Sequence, residues 1–139
     1  TLERVPGDDY PGHCPFHGAC LEGMAAGPAI EERWGAPGAE LSDRAEVWEL
    51  EATYLAQALR TFSYVAAPER ILLGGGVMQQ PGLIDSVRRR LAEQFHGYVT
   101  ADKLRGPLDG YVVAPHFGQD SGLVGAIALA MKAEQGTSL

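Results

Sequence analysis

Gly12-His13-Cys14-Pro15-Phe16-His17-Gly18-Ala19-Cys20-Leu21-Glu22-Gly23 sets two thiols and an imidazole, Cys14, His17 and Cys20, three residues apart in a stretch rich in Gly and Pro. Zinc takes thiolate and imidazole in a tetrahedral shell, and short spacers of this kind let a chain wrap around the ion. A Cys14–Cys20 disulfide or two unlinked thiols are the other readings, but neither gives His17 a purpose. Three ligands do not close a structural site. His13 is one candidate for the fourth, although it neighbours Cys14, and a ligand from outside the chain is the better fit. Metal binding in place of a disulfide implies a reducing compartment, hence the cytoplasm.

Outward from that loop, residues 1–20 form a turn-rich segment with Pro6-Gly7-Asp8-Asp9, Pro11-Gly12, Pro15 and Gly18. It has too few periodic apolar residues to bury much surface, so something else must hold it. A metal would supply that, since structural zinc in finger peptides contributes on the order of 10 kcal/mol. The organisation expected is a zinc-binding loop over 1–20 and an α/β lobe over 21–139.

Within the lobe, a short helix is expected from Leu21 to about Arg33, or two pieces divided at Gly27-Pro28, because Pro disfavours helix in the residue before it. Gly35 to Leu41 reads as a loop. Asp43 and Glu46 have the spacing of a capping box at the start of a long helix to about Ala66. Val47, Leu50, Tyr54, Ala58, Phe62 and Val65 form its apolar stripe, widened by Leu55 and Leu59. Arg70 to Leu73 is expected as a buried strand that ends at Gly74-Gly75-Gly76, and Pro81 opens a helix with Leu83, Ile84, Val87, Leu91 and Phe95 on one side. Tyr111-Val112-Val113 reads as a second strand, and Gln119 to about Lys132 as a final helix rich in small residues, packed closely on the sheet. Strand alternating with helix indicates an α/β layer with a partly parallel sheet.

The bulk numbers exclude several classes. The chain has 139 residues, is 45% hydrophobic and 21% charged, and carries a formal net charge of −7. That balance is globular and argues against a nucleic-acid partner, which needs clustered Lys and Arg. The one compact basic run, Arg88-Arg89-Arg90, reads as a solvated helix face. No stretch of about 18 apolar residues is present to span a membrane. Thr1 is not an initiator Met, so the chain is read as part of a longer protein.

Two further features stay open on residues alone. Glu22 fits either a cap on the helix that follows Cys20 or a solvated carboxylate. Leu73-Gly74-Gly75-Gly76-Val77 follows a strand and suits a sharp turn about as well as a bound nucleotide. It is neither a Walker A loop nor the dinucleotide fingerprint, because no Gly-Lys-Ser/Thr follows and Gln79 takes the third glycine's place. His96 and His116 read as structural, and no Gly-x-Ser-x-Gly elbow supports a hydrolase triad.

Gly12 to Gly23, followed by Ala26-Gly27-Pro28-Ala29-Ile30, resembles the signature of bacterial fructokinases in the ROK group (repressors, open reading frames, kinases). Leu72 to Met78 and Gly118 to Ala126 sit where that family has its nucleotide-side glycine motif and its terminal packing helix. The resemblance implies the C-terminal lobe of an actin-like, ribonuclease H-like ATPase, with sugar and ATP bound between two lobes. It matches Cys14, His17 and Cys20 to zinc ligands, with a fourth, a His in a Glu-x-Gly-His segment, expected upstream of Thr1. Glu22 matches a carboxylate that binds sugar hydroxyls. Gly74, Gly75, Gly76, Val77 and Met78 match the stretch lining the nucleotide, and Pro28 a residue beside it.

The family's Asp-x-Gly-Gly-Thr segment and catalytic Asp have no counterpart here, and neither Asp109 nor Asp120 fills the role. The chain therefore holds no catalytic base, and the missing N-terminal lobe is expected to supply it. Ala19 departs from an acidic residue common at that place. What the resemblance implies is phosphorylation of a free hexose, fructose to fructose 6-phosphate, with ATP, Mg²⁺ and a structural Zn²⁺, by a homodimer. The alternatives are a sugar-sensing ROK repressor without kinase activity and a stand-alone zinc-stapled binding module.

Overall fold

The computed structural model describes residues 1–98 and 101–134. Residues 1–20 contain neither helix nor regular strand, and one isolated antiparallel bridge joins Cys14 and Gly18. The helical stretch that follows comes as two pieces, α1 (Leu21–Ala25) and α2 (Gly27–Trp34). The break falls at Ala26, which is extended (φ −87°, ψ 158°), because Pro28 lies in the first turn of α2 and has no N–H to continue a helix. A single 3₁₀ turn, Gly38–Leu41, lies in the connection that reads as a loop.

Helix α3 (Ala45–Ala66) is the longest element, and its apolar stripe forms the centre of the core. Val47, Tyr54, Leu55, Ala58 and Leu59 are buried as the periodicity predicts. The stripe loses its cover in the last turns, where Phe62 is 49% and Val65 83% exposed. The expected capping box does not form. Arg44 is the N-cap residue, without a side-chain cap, and its guanidinium takes Glu46 at 2.8 Å. Glu46 therefore reaches a charge one step outside the helix and not the backbone N–H of Asp43.

Strands β1 (Ile71–Leu72) and β2 (Val112–Val113) pair in parallel, Ile71 opposite Val112 and Leu72 opposite Val113. Between them runs α4 (Leu83–Phe95), which begins after Gly82, two residues beyond Pro81. Leu83, Val87, Leu91 and Phe95 bury its apolar side against α3. Across the same contact Glu49 of α3 receives Arg89 at 2.6 Å and Arg90 at 2.7 Å, while Arg88 donates to the Val112 carbonyl at 2.9 Å. The basic run is thus pinned to α3 and β2 and is not simply a solvated face.

Two expectations about burial fail. β1 is covered on one side only, for Ile71 is half-buried while Leu72 is 65% exposed. The last helix, α5 (Ser121–Glu134), has no buried residue and does not pack on the sheet. Parallel strands are ordinarily covered on both faces. His96 ends α4 in the left-handed region (φ 45°) and His116 lies on the surface against Phe117.

The first 20 residues are held by the protein itself as well as by any metal. Arg33 of α2 is stacked 4.6 Å from the Tyr10 ring and 5.3 Å from the Tyr54 ring, and lies 3.4 Å from the Asp8 carboxylate. Tyr54 donates to Asp8 and accepts from the Val5 amide at 3.2 Å, and Gln57 and Glu3 exchange hydrogen bonds at 2.9 Å. A metal is therefore not the sole fastening that composition suggests.

Beneath this network Glu51 is 1% exposed, and its Oε1 has no hydrogen-bond partner among the described residues. Burial raises its pKa to about 8, with the nearby Arg33 charge working in the opposite direction. Between roughly pH 5 and 8 the folded chain then holds a proton that the unfolded chain releases, so stability falls as pH rises through that window. Glu51→Gln should remove this slope. Urea midpoints measured from pH 5 to 9 are expected to decline for the unsubstituted chain and to stay level for the variant over that part.

Candidate functional site

The metal-ligand candidates come together. The ligating atoms of Cys14, His17 and Cys20 all lie within 4.8 Å of one another, with Cys14 Sγ 3.7 Å from His17 Nδ1. Zinc–sulfur bonds of about 2.3 Å and zinc–nitrogen bonds of about 2.0 Å require ligand separations of roughly 3.5 Å, which the Cys14–His17 pair nearly meets, with Cys20 no farther than 4.8 Å from either. Local backbone geometry makes this convergence. The Gly18 amide donates to the Cys14 carbonyl at 2.9 Å and closes a tight turn that leaves His17 between the two sulfurs in sequence. Backbone N–H groups of Phe16 and His17, then the side chains of His17 and Cys20, hold the Cys14 thiol down at about 7, against burial. A thiol so lowered is readily the thiolate that metals require.

Cys20 also caps α1, accepting from the Gly23 amide at 3.4 Å. Glu22 is accordingly not the cap. It stands exposed in the first turn of α1, free to face solvent or a ligand. Gly23 is required where it is, because a Cβ there would overlap the Gly18 carbonyl oxygen and reach within 2.9 Å of Cys14 Cβ.

His13 is not part of the cluster. Its Nδ1 lies 2.6 Å from Glu32 Oε2, which also accepts from the Tyr10 hydroxyl at 2.8 Å. His13 and Tyr10 together lower the Glu32 pKa, and burial with the Glu32 contact pushes Tyr10 up to about 12. The His13 amide donates to the Gly23 carbonyl at 2.8 Å, so the residue latches the loop onto α1 and α2. Among the described residues the group that could hold a metal ion consists of Cys14, His17 and Cys20.

The glycine turn divides between two concavities. Gly76 and Val77 line a cavity of about 370 Å³ together with Gly27, Gly38, Ile30 and Trp48. The Trp48 indole N–H is already satisfied by the Leu41 carbonyl at 2.8 Å, which leaves its ring as an apolar wall. A Cβ at Gly27 or Gly76 would meet no protein atom within 4 Å. Gly74, Gly75 and Met78 line a smaller cleft of about 90 Å³ with Pro115 and Gln119. Gly74 is pressed against Pro115, whose Cγ would be 2.6 Å from an added Cβ. Pro28 is exposed and borders neither space, although its neighbour Gly27 does.

Trp48, Ile30 and Gly38 are the lining residues that sequence reasoning did not single out. Their periodic or loop positions read as core, and nothing local marks them as facing a cavity. What the arrangement offers is an open concavity lined by Trp48, Ile30 and bare glycine backbone, with Ser42, Gln79 and Gln80 as its polar groups.

The ROK family model matches residues 4–133. The chain belongs to the ROK family. A relative from Bacillus subtilis (strain 168) is 44% identical over 134 residues, which is 96% of this chain and 45% of the relative. The fructokinase of Pediococcus pentosaceus is 40% identical over 132 residues, 95% of this chain and 44% of that protein. The fructokinase of Zymomonas mobilis subsp. mobilis (strain ATCC 31821 / ZM4 / CP4) is 40% identical over 134 residues, 94% and 43% respectively. This ROK chain thus spans less than half the length of the curated relatives it matches.

The crowding at Gly23 gives a direct check on the loop. Gly23→Ala should displace the Cys14–Gly18 turn and lower stability by about 1–3 kcal/mol. Gly110→Ala, where an added Cβ meets open space outside any helix, should leave the urea midpoint almost unchanged. Equal effects of the two substitutions would contradict the packing described.

Proposed function

We propose that this chain is the C-terminal half of an ATP-dependent hexose kinase that converts fructose to fructose 6-phosphate. The observation that carries the reading is identity of 40% with two proteins named fructokinase across more than nine-tenths of the chain. The reading is supported by a glycine turn at the edge of an aromatic-walled cavity, which suits the base of a nucleotide. On this view the lobe has an actin-like fold, and Gly76 and Val77 lie against the adenosine end of ATP. Gly74, Gly75 and Met78 hold the turn in shape, and Pro28 fixes the start of α2 beside it.

Glu22, exposed on a short helix directly after the metal loop, would accept hydrogen bonds from sugar hydroxyls. Cys14, His17 and Cys20 would hold a structural zinc, with the fourth ligand supplied from outside the chain. Bound there, the ion would cross-link the loop and fix the start of α1, and hence the direction of Glu22. Phosphoryl transfer depends mainly on positioning and on neutralising phosphate charge, for which Mg²⁺ accompanies ATP, and on a carboxylate that takes the hydroxyl proton. On this reading that carboxylate is supplied by the other lobe, outside the residues of this chain.

Thiol ligands and a nucleotide co-substrate fit a cytoplasmic enzyme, and among the described residues no helix is long and apolar enough to cross a membrane. Homodimer formation is the assembly proposed with this reading.

Two measurements test it. Elemental analysis of protein purified without chelator should return about one zinc per chain, and Cys14→Ser should lower that figure sharply. Zinc-free native protein would remove the metal site. Separately, the complete polypeptide should release ADP from ATP and Mg²⁺ in the presence of fructose. Release no higher than background with fructose, mannose and glucose would overturn the assignment.

A further inference from the structure

The cavity of about 370 Å³ beside the glycine turn has no charged residue in its lining. Buried Ile30 and Trp48 give it an apolar side, and Gly27, Gly38 and Gly76 bring bare backbone to it. A phosphate group wants cations or a nest of N–H donors, so this lining suits a neutral occupant that is apolar on its faces and polar at its rim. The side chains able to hydrogen-bond that rim are Ser42, Gln79 and Gln80.

The two glutamines differ in freedom. A carboxamide offers donors on one side and an acceptor on the other, and one that can turn over serves either kind of partner. Gln79 is exposed, and among the described residues no hydrogen bond ties its side chain. Gln80 is half-buried, and its Nε2 donates to the Ser42 carbonyl at 3.1 Å. Its backbone is held as well: the amide donates to the Val77 carbonyl at 3.3 Å, and the carbonyl accepts from the Leu83 amide at 3.2 Å. Pro81 follows and favours the extended conformation that Gln80 adopts (φ −60°, ψ 120°). Turning the side-chain amide over would set Oε1 against the Ser42 carbonyl, acceptor facing acceptor. The held orientation therefore leaves Oε1, an acceptor only, as what Gln80 presents to a ligand.

We propose that Gln80 selects the nucleobase: its Oε1 accepts from the exocyclic amino group of adenine and rejects a base that carries a carbonyl at the same place. This rests on the reading of the cavity as the base site of a nucleotide, and it names the residue that sets specificity there. Adenine presents an amino donor at position 6, whereas guanine presents a carbonyl acceptor. A fixed acceptor opposite a second acceptor leaves both unpaired, which weakens binding on the order of 10- to 100-fold. The Ser42 carbonyl is what makes the selection possible, because it removes the alternative orientation that Gln79 keeps.

Calorimetric titration of the complete polypeptide with nucleoside diphosphates tests the inference apart from turnover. The probes are ADP, GDP and inosine diphosphate, which has the position-6 carbonyl of guanine without its 2-amino group. ADP should bind on the order of 10- to 100-fold more tightly than either of the others. Gln80→Leu should weaken ADP by roughly 10-fold and leave inosine diphosphate no weaker, so that the preference collapses. Gln80→Met, unbranched and of similar length, should act in the same way and serves as the second variant if the first loses its urea transition. Inosine diphosphate bound as tightly as ADP by the unsubstituted protein would overturn the proposal, since rejection would then fall on the 2-amino group or on nothing. Equal weakening of all three nucleotides in the variants would overturn it too, by assigning Gln80 to packing alone. Binding of none of the three would remove the nucleotide reading and this inference together. A protein that prefers ADP as described but releases none from ATP with fructose would sink the kinase reading and leave this one standing.

Discussion

A buried guanidinium joins the irregular and the regular parts of this molecule. Arg33 lies between the rings of Tyr10 and Tyr54 and beside Asp8, with its side chain only 6% exposed. A cation in such a place is tolerated only when paired, because losing its hydration costs several kcal/mol. Here Asp8 supplies the charge and two aromatic faces supply the quadrupole attraction. The partners come from the first 10 residues and from α3, so the side chain cannot be satisfied unless the segment is docked. Glu51, 1% exposed and without a hydrogen-bond partner at Oε1 among the described residues, feels the same Arg33 charge, and burial pushes its pKa up to about 8.

From that anchor the loop geometry follows. With Tyr10 fixed, its hydroxyl holds Glu32, Glu32 holds His13, and His13 is drawn away from the sulfurs that flank His17. The chain between Cys14 and Gly18 turns back so tightly that only glycine fits at position 23. Cys20, the last of the three candidate ligands, is also the cap of α1, so the Cys/His cluster and the start of the helix share one residue. Glu22 follows within that first turn, and its direction is set by the same turn.

Much of the fold was readable because its signals are local. The break at Gly27-Pro28, the length of α3 and the strand before three glycines each follow from covalent chemistry or from a periodicity within a few turns. The Cys14, His17, Cys20 cluster was readable for the same reason, since all three groups lie within seven residues. The capping box failed because the Glu46 carboxylate is taken by its own backbone N–H and by the Arg44 guanidinium at 2.8 Å. The solvated reading of Arg88 to Arg90 was incomplete because Glu49, some 40 residues away, takes Arg89 and Arg90 across the α3–α4 contact.

The sequence by itself determined which residues could bind a metal, roughly where the helices lie, and which family the chain resembles, because those depend on short spacing and on residue type. The tertiary structure decided what lies opposite what. It turned His13 toward Glu32, put Trp48 and Ile30 behind Gly76 and Val77, and left α5 and Leu72 without cover. These are meetings between residues far apart in the chain, and no local pattern encodes them.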